Sequence, residues 1–217
     1  MRCRLLALML PFALIGCQGN FFSRFMPKSP ASDDAAYQVY SDLFSEKDTV
    51  GITPGQLVII QRETVRGGNM SFDKDISKCF PQNWEFRWEY GSALADYNKQ
   101  NKTPRELTHR FNLASPYQLL PHRQILALET AVRGSGTAFA EKYPNSDGYI
   151  SVSAVGFNRG RMRAIVFAAH WGNFGGGLER YYALEKKSQK WAETHAGCTA
   201  NVDGVILVKK ARAASIP

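Results

Sequence analysis

Residues Met162 to Ala169 read MRAIVFAA, a run with a single charge at Arg163. Turn signals bound it on both sides: Asn158-Arg159-Gly160 before it and the glycine-rich GNFGGG of residues 172–177 after it. A short apolar run between turns is the pattern of a central strand covered on both faces. Such a strand demands a layer above it and a layer below it, and this constrains the rest of the chain more than any other feature. The 217 residues suit one domain, and 44% hydrophobic with 21% charged residues give enough apolar surface to cover such a strand and exclude wholesale disorder.

The neighbours supply further strands. Tyr149 to Phe157 alternates, with Ile150, Val152 and Ala154 on one face before the apolar set crosses to Val155 and Phe157, which predicts a bulge. Asn158-Arg159-Gly160 fits a three-residue hairpin with glycine in the left-handed position. Leu178 to Lys186 predicts another strand, Lys190 to Thr194 a fourth and Val205 to Val208 a last short one. The C-terminal half therefore reads as an antiparallel β-meander.

Helices are expected mainly in the N-terminal half. Ala36, Val39, Tyr40, Leu43 and Phe44 recur at helical spacing within 33–46, behind Ser32 or Asp33 as a cap. Thr53-Pro54-Gly55 is a turn, and Leu57 to Ile60 a buried strand. Residues 66–83 read as a loop. Residues 84–90 (WEFRWEY) alternate like a strand, while Ser92 to Gln100 looks helical and a helix can start at Asn83; both readings of 84–90 stand. Pro104 predicts a short helix through Phe111, and Tyr117 to Leu128 includes a strand. The class is α+β, with the meander packed against N-terminal helices.

The first 17 residues are a separate matter. Arg2 and Arg4 precede an apolar stretch of eleven residues, Leu5 to Ile15, which contains Pro11. A spanning helix needs about 20 residues, so a cleaved signal peptide is the expectation. The stretch ends in Leu14-Ile15-Gly16-Cys17, which resembles the lipobox of bacterial lipoproteins. The resemblance covers only these 17 positions. It implies cleavage before Cys17 and fatty acylation, such as palmitate, of that cysteine. Residues 1–16 are then the signal, 17–31 the lipidated cysteine with a flexible tether, and 32–217 a single α+β domain. Gln18 follows the cysteine where inner-membrane retention favours aspartate, so the expected address is the outer membrane facing the periplasm, if the host is Gram-negative. Phe21, Phe22, Phe25 and Met26 of the tether fit either the bilayer interface or the domain surface.

From Tyr143 onward the chain resembles a group of secreted bacterial proteins without a characterised activity. The shared positions are Tyr143-Pro144, Gly148, Ser153, Gly156-Phe157-Asn158, the strand around Ala164, the glycines before Tyr181-Tyr182, and Trp191. The resemblance implies a related fold and carries no activity.

Removing the signal takes Cys3 away, and lipidation would consume Cys17. Cys79 and Cys198 remain as a candidate disulfide, with two separately buried thiols as the other reading. His109, His122, His170 and His195 form no HxH, HExxH or CxxC-type set, so no metal site and no cofactor is signalled. The glycines of 172–177 lack the Gly-Lys-Ser/Thr of a phosphate loop, Asn145 to Gly148 lacks most ligands of a calcium loop, and there is no GxSxG. Arg159, Arg161 and Arg163 fit an anion contact or a solvated strand edge. The aromatics Trp84, Phe86, Trp88, Tyr90, Tyr181, Tyr182 and Trp191 fit a ligand groove or a packed core.

Formal charge is +8, or about +6 without residues 1–16. Surplus basic charge next to a membrane favours anionic envelope components, while the absence of basic tracts and zinc-finger spacing speaks against nucleic acid. The leading expectation is a membrane-anchored envelope lipoprotein carrying a non-catalytic binding, assembly or structural module, with the membrane, anionic envelope components or another envelope protein as partner. The alternative is an envelope hydrolase whose site forms only in three dimensions near the C-terminal sheet, with His170, His195 or His122 as base.

Overall fold

The computed structural model describes residues 34–45, 52–66, 76–133, 136–173 and 176–202. The signal and tether, Cys17 among them, and the strand expected at Val205 to Val208 lie outside the described residues.

Strand β7 (Arg163–Gly172) is the apolar run between the two turns, and it lies inside a seven-stranded sheet. The other members are β1 (Val58–Gln61), β2 (Tyr117–Leu120), β5 (Gly148–Val152), β6 (Gly156–Phe157), β8 (Gly176–Lys187) and β9 (Lys190–Val202). Two short strands, β3 (Val132–Arg133) and β4 (Gly136–Thr137), pair with each other apart from it. The order is β2-β1-β5-β7-β8-β9, with β6 continuing β5 along β7. From β5 to β9 every pairing is antiparallel, whereas β1 runs parallel to both β2 and β5. The fold is α+β. Its parallel corner goes beyond a plain meander, because helices separate β1, β2 and β5 in sequence and carry the chain back between them.

Helix α1 (Asp34–Ser45) covers one face and α2 (Trp84–Gln100) the other. Alternate residues of β7 divide between them: Ala164, Val166 and Ala168 pack in the α1 core with Tyr40 and Leu43, and Ile165, Phe167 and Ala169 in the α2 core with Phe86, Tyr90 and Tyr97. This double burial is the reason β7 is apolar throughout. Helices α3 (His122–Thr130) and α4 (Ala138–Lys142) close a third cluster over β1 and β2, with Ile59, Leu120, Ile125 and Phe139.

The open segment 84–90 is helical. Asn83 caps α2, its side-chain oxygen accepting from the Phe86 amide at 3.0 Å. The alternation of aromatics there is misleading, because Phe86 and Tyr90 are buried while Trp84 and Trp88 are 73% and 85% exposed.

Three local expectations need correction. No helix forms between Pro104 and Phe111; the segment runs extended beside residues 62–64, with Leu107 N donating to Arg62 O and Thr64 N to Arg105 O. These backbone bonds and the packing of Phe111 on Tyr37 override the local helix signal. The strand expected within 117–128 is present as β2, and it stops at Leu120 because Pro121 starts α3. The left-handed residue of the β6–β7 hairpin is Arg161 (φ 52), not Gly160. The Asn158 side chain closes that loop by accepting from the amides of Met162 and Arg163. Finally, β9 runs well past Thr194, and the loop of 66–83 contains a 3-10 turn at Ile76–Cys79.

The bulge is present. Val152 faces Ala168 and Gly156 faces Ile165, so Ser153, Ala154 and Val155 stand opposite only Val166 and Phe167. Ser153 fills the interrupted ladder, its Oγ accepting from Phe167 N at 2.9 Å.

Candidate functional site

Where β5 begins and β7 ends, the turn Asn145 to Gly148 makes the wall of a recess floored by His170. The turn is tightly made. Ser146 Oγ donates to Gly148 O, and Leu57 N donates to Asn145 O at 2.9 Å. Gly148 has φ 131, and a Cβ on it would stand 1.8 Å from Trp171 O, so no other residue fits the position. Asp147 projects from this turn. Its carboxylate accepts from Thr53 Oγ1 at 2.7 Å and, with the Gln56 carboxamide oriented nitrogen toward it, from Gln56 Nε2 at 3.0 Å, and its carbonyl accepts from Asn173 N at 3.3 Å.

Burial lowers the pKa of His170 below its ordinary value; the Asp147 carboxylate and a hydrogen bond to the Asp147 backbone work in the opposite direction without cancelling the effect. The ring is therefore neutral at neutral pH. Ile52, Val58 and Ile150 supply apolar walls. Chemically the recess offers a neutral imidazole beside a carboxylate already holding two donors. That arrangement suits hydrogen bonding to a small polar group. Ser146, the serine of the recess, is buried with its hydroxyl turned to Gly148, which is poor geometry for a nucleophile.

The other histidines stand elsewhere. His122 begins α3, with Nδ1 3.3 Å from Gln61 Oε1 and its amide donating to Glu63 at 2.8 Å. His195 lies on β9 with its ring edge-on to Phe86 and Tyr90. His109 stacks on Tyr117. Among the described residues no three His, Cys, Asp or Glu side chains gather as a metal site, and no helix is long and apolar enough to cross a membrane.

Cys79 and Cys198 are joined, with Cα atoms 4.7 Å apart. The bridge ties the 3-10 turn before α2 to β9. Cys198 thus sits within a strand, which places it closer to the core than a loop position would.

A polar cluster that the residue patterns did not single out lies on the α2 face of the sheet. Tyr149 stacks on Trp171 at 6.3 Å and shares a hydrogen bond with Glu129. Glu179, 1% exposed, joins them from β8, and its Oε2 has no partner among the described residues. Burial raises the pKa of both carboxyls and of Tyr149. The signal was the phase of β8: Glu179 shares a face with Tyr181 and Ala183, both buried.

Arg163 pairs with Glu185 at 2.8 Å and Glu89 at 3.5 Å, while Arg161 lies over the Phe157 ring. Of the aromatics, Phe86, Tyr90, Tyr181, Tyr182 and Trp191 are core, and Trp84 and Trp88 are surface.

Fold and recess together define an α+β protein with a polar pocket at one rim of a mixed sheet. No family model, curated protein or solved structure matches the chain.

Proposed function

We propose that this chain is a bacterial envelope lipoprotein, acylated on Cys17, whose folded part is a non-catalytic binding, assembly or structural module held near the membrane. The observation that carries the reading is Leu14-Ile15-Gly16-Cys17 behind a short basic and apolar leader. The bridge between Cys79 and Cys198 supports it. Bridged cysteines suit an oxidising compartment outside the cytoplasm, and with Cys3 lost in the leader, Cys17 is the one cysteine left for another role. The outer membrane is the proposed address in a Gram-negative host, since Gln18 stands where aspartate favours retention. Anionic envelope components or another envelope protein are the proposed partners.

Labelling cells with a radioactive fatty acid tests the anchor. The wild type should carry label and Cys17→Ala should not; equal labelling of both ends the reading.

The hydrolase reading keeps one observation in its favour, the neutral His170 beside Asp147 in a recess. Turnover of any member of an ester, amide and glycoside panel, abolished by His170→Ala, would establish it and displace the non-catalytic reading.

A further inference from the structure

The strand ends opposite the His170 recess carry a different chemistry. There the β6–β7 hairpin presents Arg159, Arg161 and Met162, and the β8–β9 turn presents Lys187 and Lys190, all exposed. Met162 is 47% exposed, an apolar side chain between cations. The acids near this end are engaged: Glu185 with Arg163 and Lys187, Glu89 with Arg163, Asp42 with the Trp191 amide, and Asp34 at the start of α1 with Arg110. Trp88 precedes Glu89 on α2 and points to solvent.

The start of α1 reaches the same end. Gln38 donates to Gln189 O in the β8–β9 turn and accepts from Lys186 Nζ at 3.1 Å. Phe44 and Ser45, at the far end of α1, instead line a recess with Pro54, Val58 and Ser115, where β1 begins. Asp34 lies one turn before Gln38, about 6 Å along the axis. The chain outside the described residues therefore joins the domain close to the cationic end. Sixteen residues, Gln18 to Asp33, separate Cys17 from α1 in sequence.

We propose that this end, with Arg159, Arg161, Met162, Lys187, Lys190 and Trp88, docks on the surface of an anionic phospholipid bilayer. The proposal rests on the lipid-anchor reading, which sets the membrane within reach. Cations attract anionic headgroups. Exposed Trp88 and Met162 fit the boundary between headgroups and acyl chains, as a soluble polyanion would not require. Docking would turn the His170 recess, at the other end of the strands, away from the bilayer.

The test uses the chain from residue 17 with Cys17→Ser, which keeps every described residue and carries no lipid. It is sedimented with vesicles of equal parts phosphatidylglycerol and phosphatidylcholine, and with phosphatidylcholine alone. Binding to the anionic vesicles only, with a blue shift of tryptophan emission that Trp88→Ser diminishes, is expected. Each basic residue strengthens such binding about fivefold, so Arg159→Glu with Lys187→Glu and Lys190→Glu should weaken it at least about a hundredfold. Reversing Lys99, Lys102 and Lys142 changes net charge equally and should leave binding within about fivefold of the parent. Circular dichroism confirms folding of each variant. No sedimentation with anionic vesicles overturns the proposal, as does equal weakening by both triple variants. Binding to soluble polyphosphate as tight as to vesicles, indifferent to Trp88→Ser, assigns the end to a polyanion and also overturns it. Because the tested chain has no lipid, these failures leave the Cys17 reading standing, whereas equal fatty-acid labelling of wild type and Cys17→Ala defeats only the anchor.

Discussion

Asn101 grips both polar groups of the Ala154 backbone: its Nδ2 donates to Ala154 O at 2.9 Å, and its Oδ1 accepts from Ala154 N at 2.8 Å. Ala154 lies in the β5–β6 bulge, where the ladder offers it no strand partner. Asn101, just past the end of α2, supplies both missing bonds and so fixes the helix to the sheet. Asn101→Ala should leave the buried Ala154 N–H without a partner, while Ala154 O keeps the Ser153 hydroxyl at 3.0 Å, and should cost about 1–3 kcal/mol. Urea unfolding checks this; a loss below about 0.5 kcal/mol would mean that water replaces the carboxamide freely.

Gly156 marks the closest approach of the sheet to α2. A Cβ there would stand 2.3 Å from Tyr97 N and 2.4 Å from Ala93 O, both backbone atoms that no rotamer can move. Gly156→Ala should cost at least about 3 kcal/mol and lower the thermal midpoint accordingly. Gly160→Ala, where a Cβ meets nothing within 4 Å, serves as the control and should be nearly neutral.

These two sites show what a reading of residues can reach. The strand at Met162 to Ala169 and helix α1 were legible because burial there follows the element's own period, two faces for β7 and one stripe for α1. The bulge was legible from the crossing of the apolar set, but its brace, Asn101, was not, since nothing local ties it to a residue 53 positions away. Segment 84–90 stayed ambiguous because Trp84 and Trp88 are apolar yet face solvent. The parallel pairing of β1 leaves no local trace, and the extended run after Pro104 is set by its bonds to residues 62–64. His170 was marked by its place before the glycine loop; that Asp147 would meet it depends on the strand register pairing Gly148 with Gly172.

The bridge closes a separation of 119 residues and anchors β9, the sheet's edge strand, to the turn before α2. Loop-closure entropy alone makes it worth roughly 4–5 kcal/mol. Cys198→Ser should lose a large part of that in urea unfolding. Intact mass should rise by two hydrogens on reduction; an unchanged mass would mean that the two cysteines are free thiols.

His170 should make stability fall on mild acidification. Its folded pKa lies below its ordinary value of 6.5, chiefly through burial. Between those two values the unfolded chain holds a proton that the folded chain does not. Stability is therefore full above about 6.5 and declines as pH drops toward the folded value. His170→Gln should flatten that stretch of a urea-midpoint series. A variant that keeps the wild-type slope would place the titrating group elsewhere.

Glu179 should act with the opposite sign. Burial raises its pKa above the ordinary 4.5, so the folded state holds the proton more tightly than the unfolded state. Its contribution is fully present below about 4.5 and is lost as pH rises through the folded value. The carboxyl is 1% exposed, and its Oε2 is without a partner among the described residues. Glu179→Gln keeps the shape and removes the titrating group, so it should raise the urea midpoint at pH 7. The gain should vanish near pH 4, where the wild-type carboxyl is already neutral. Urea midpoints of both proteins at the two pH values decide it. A variant less stable than wild type at pH 7 would show that the buried carboxylate is satisfied by a group that binds it, and that the cluster of Tyr149, Trp171 and Glu129 around it is built to hold a charge.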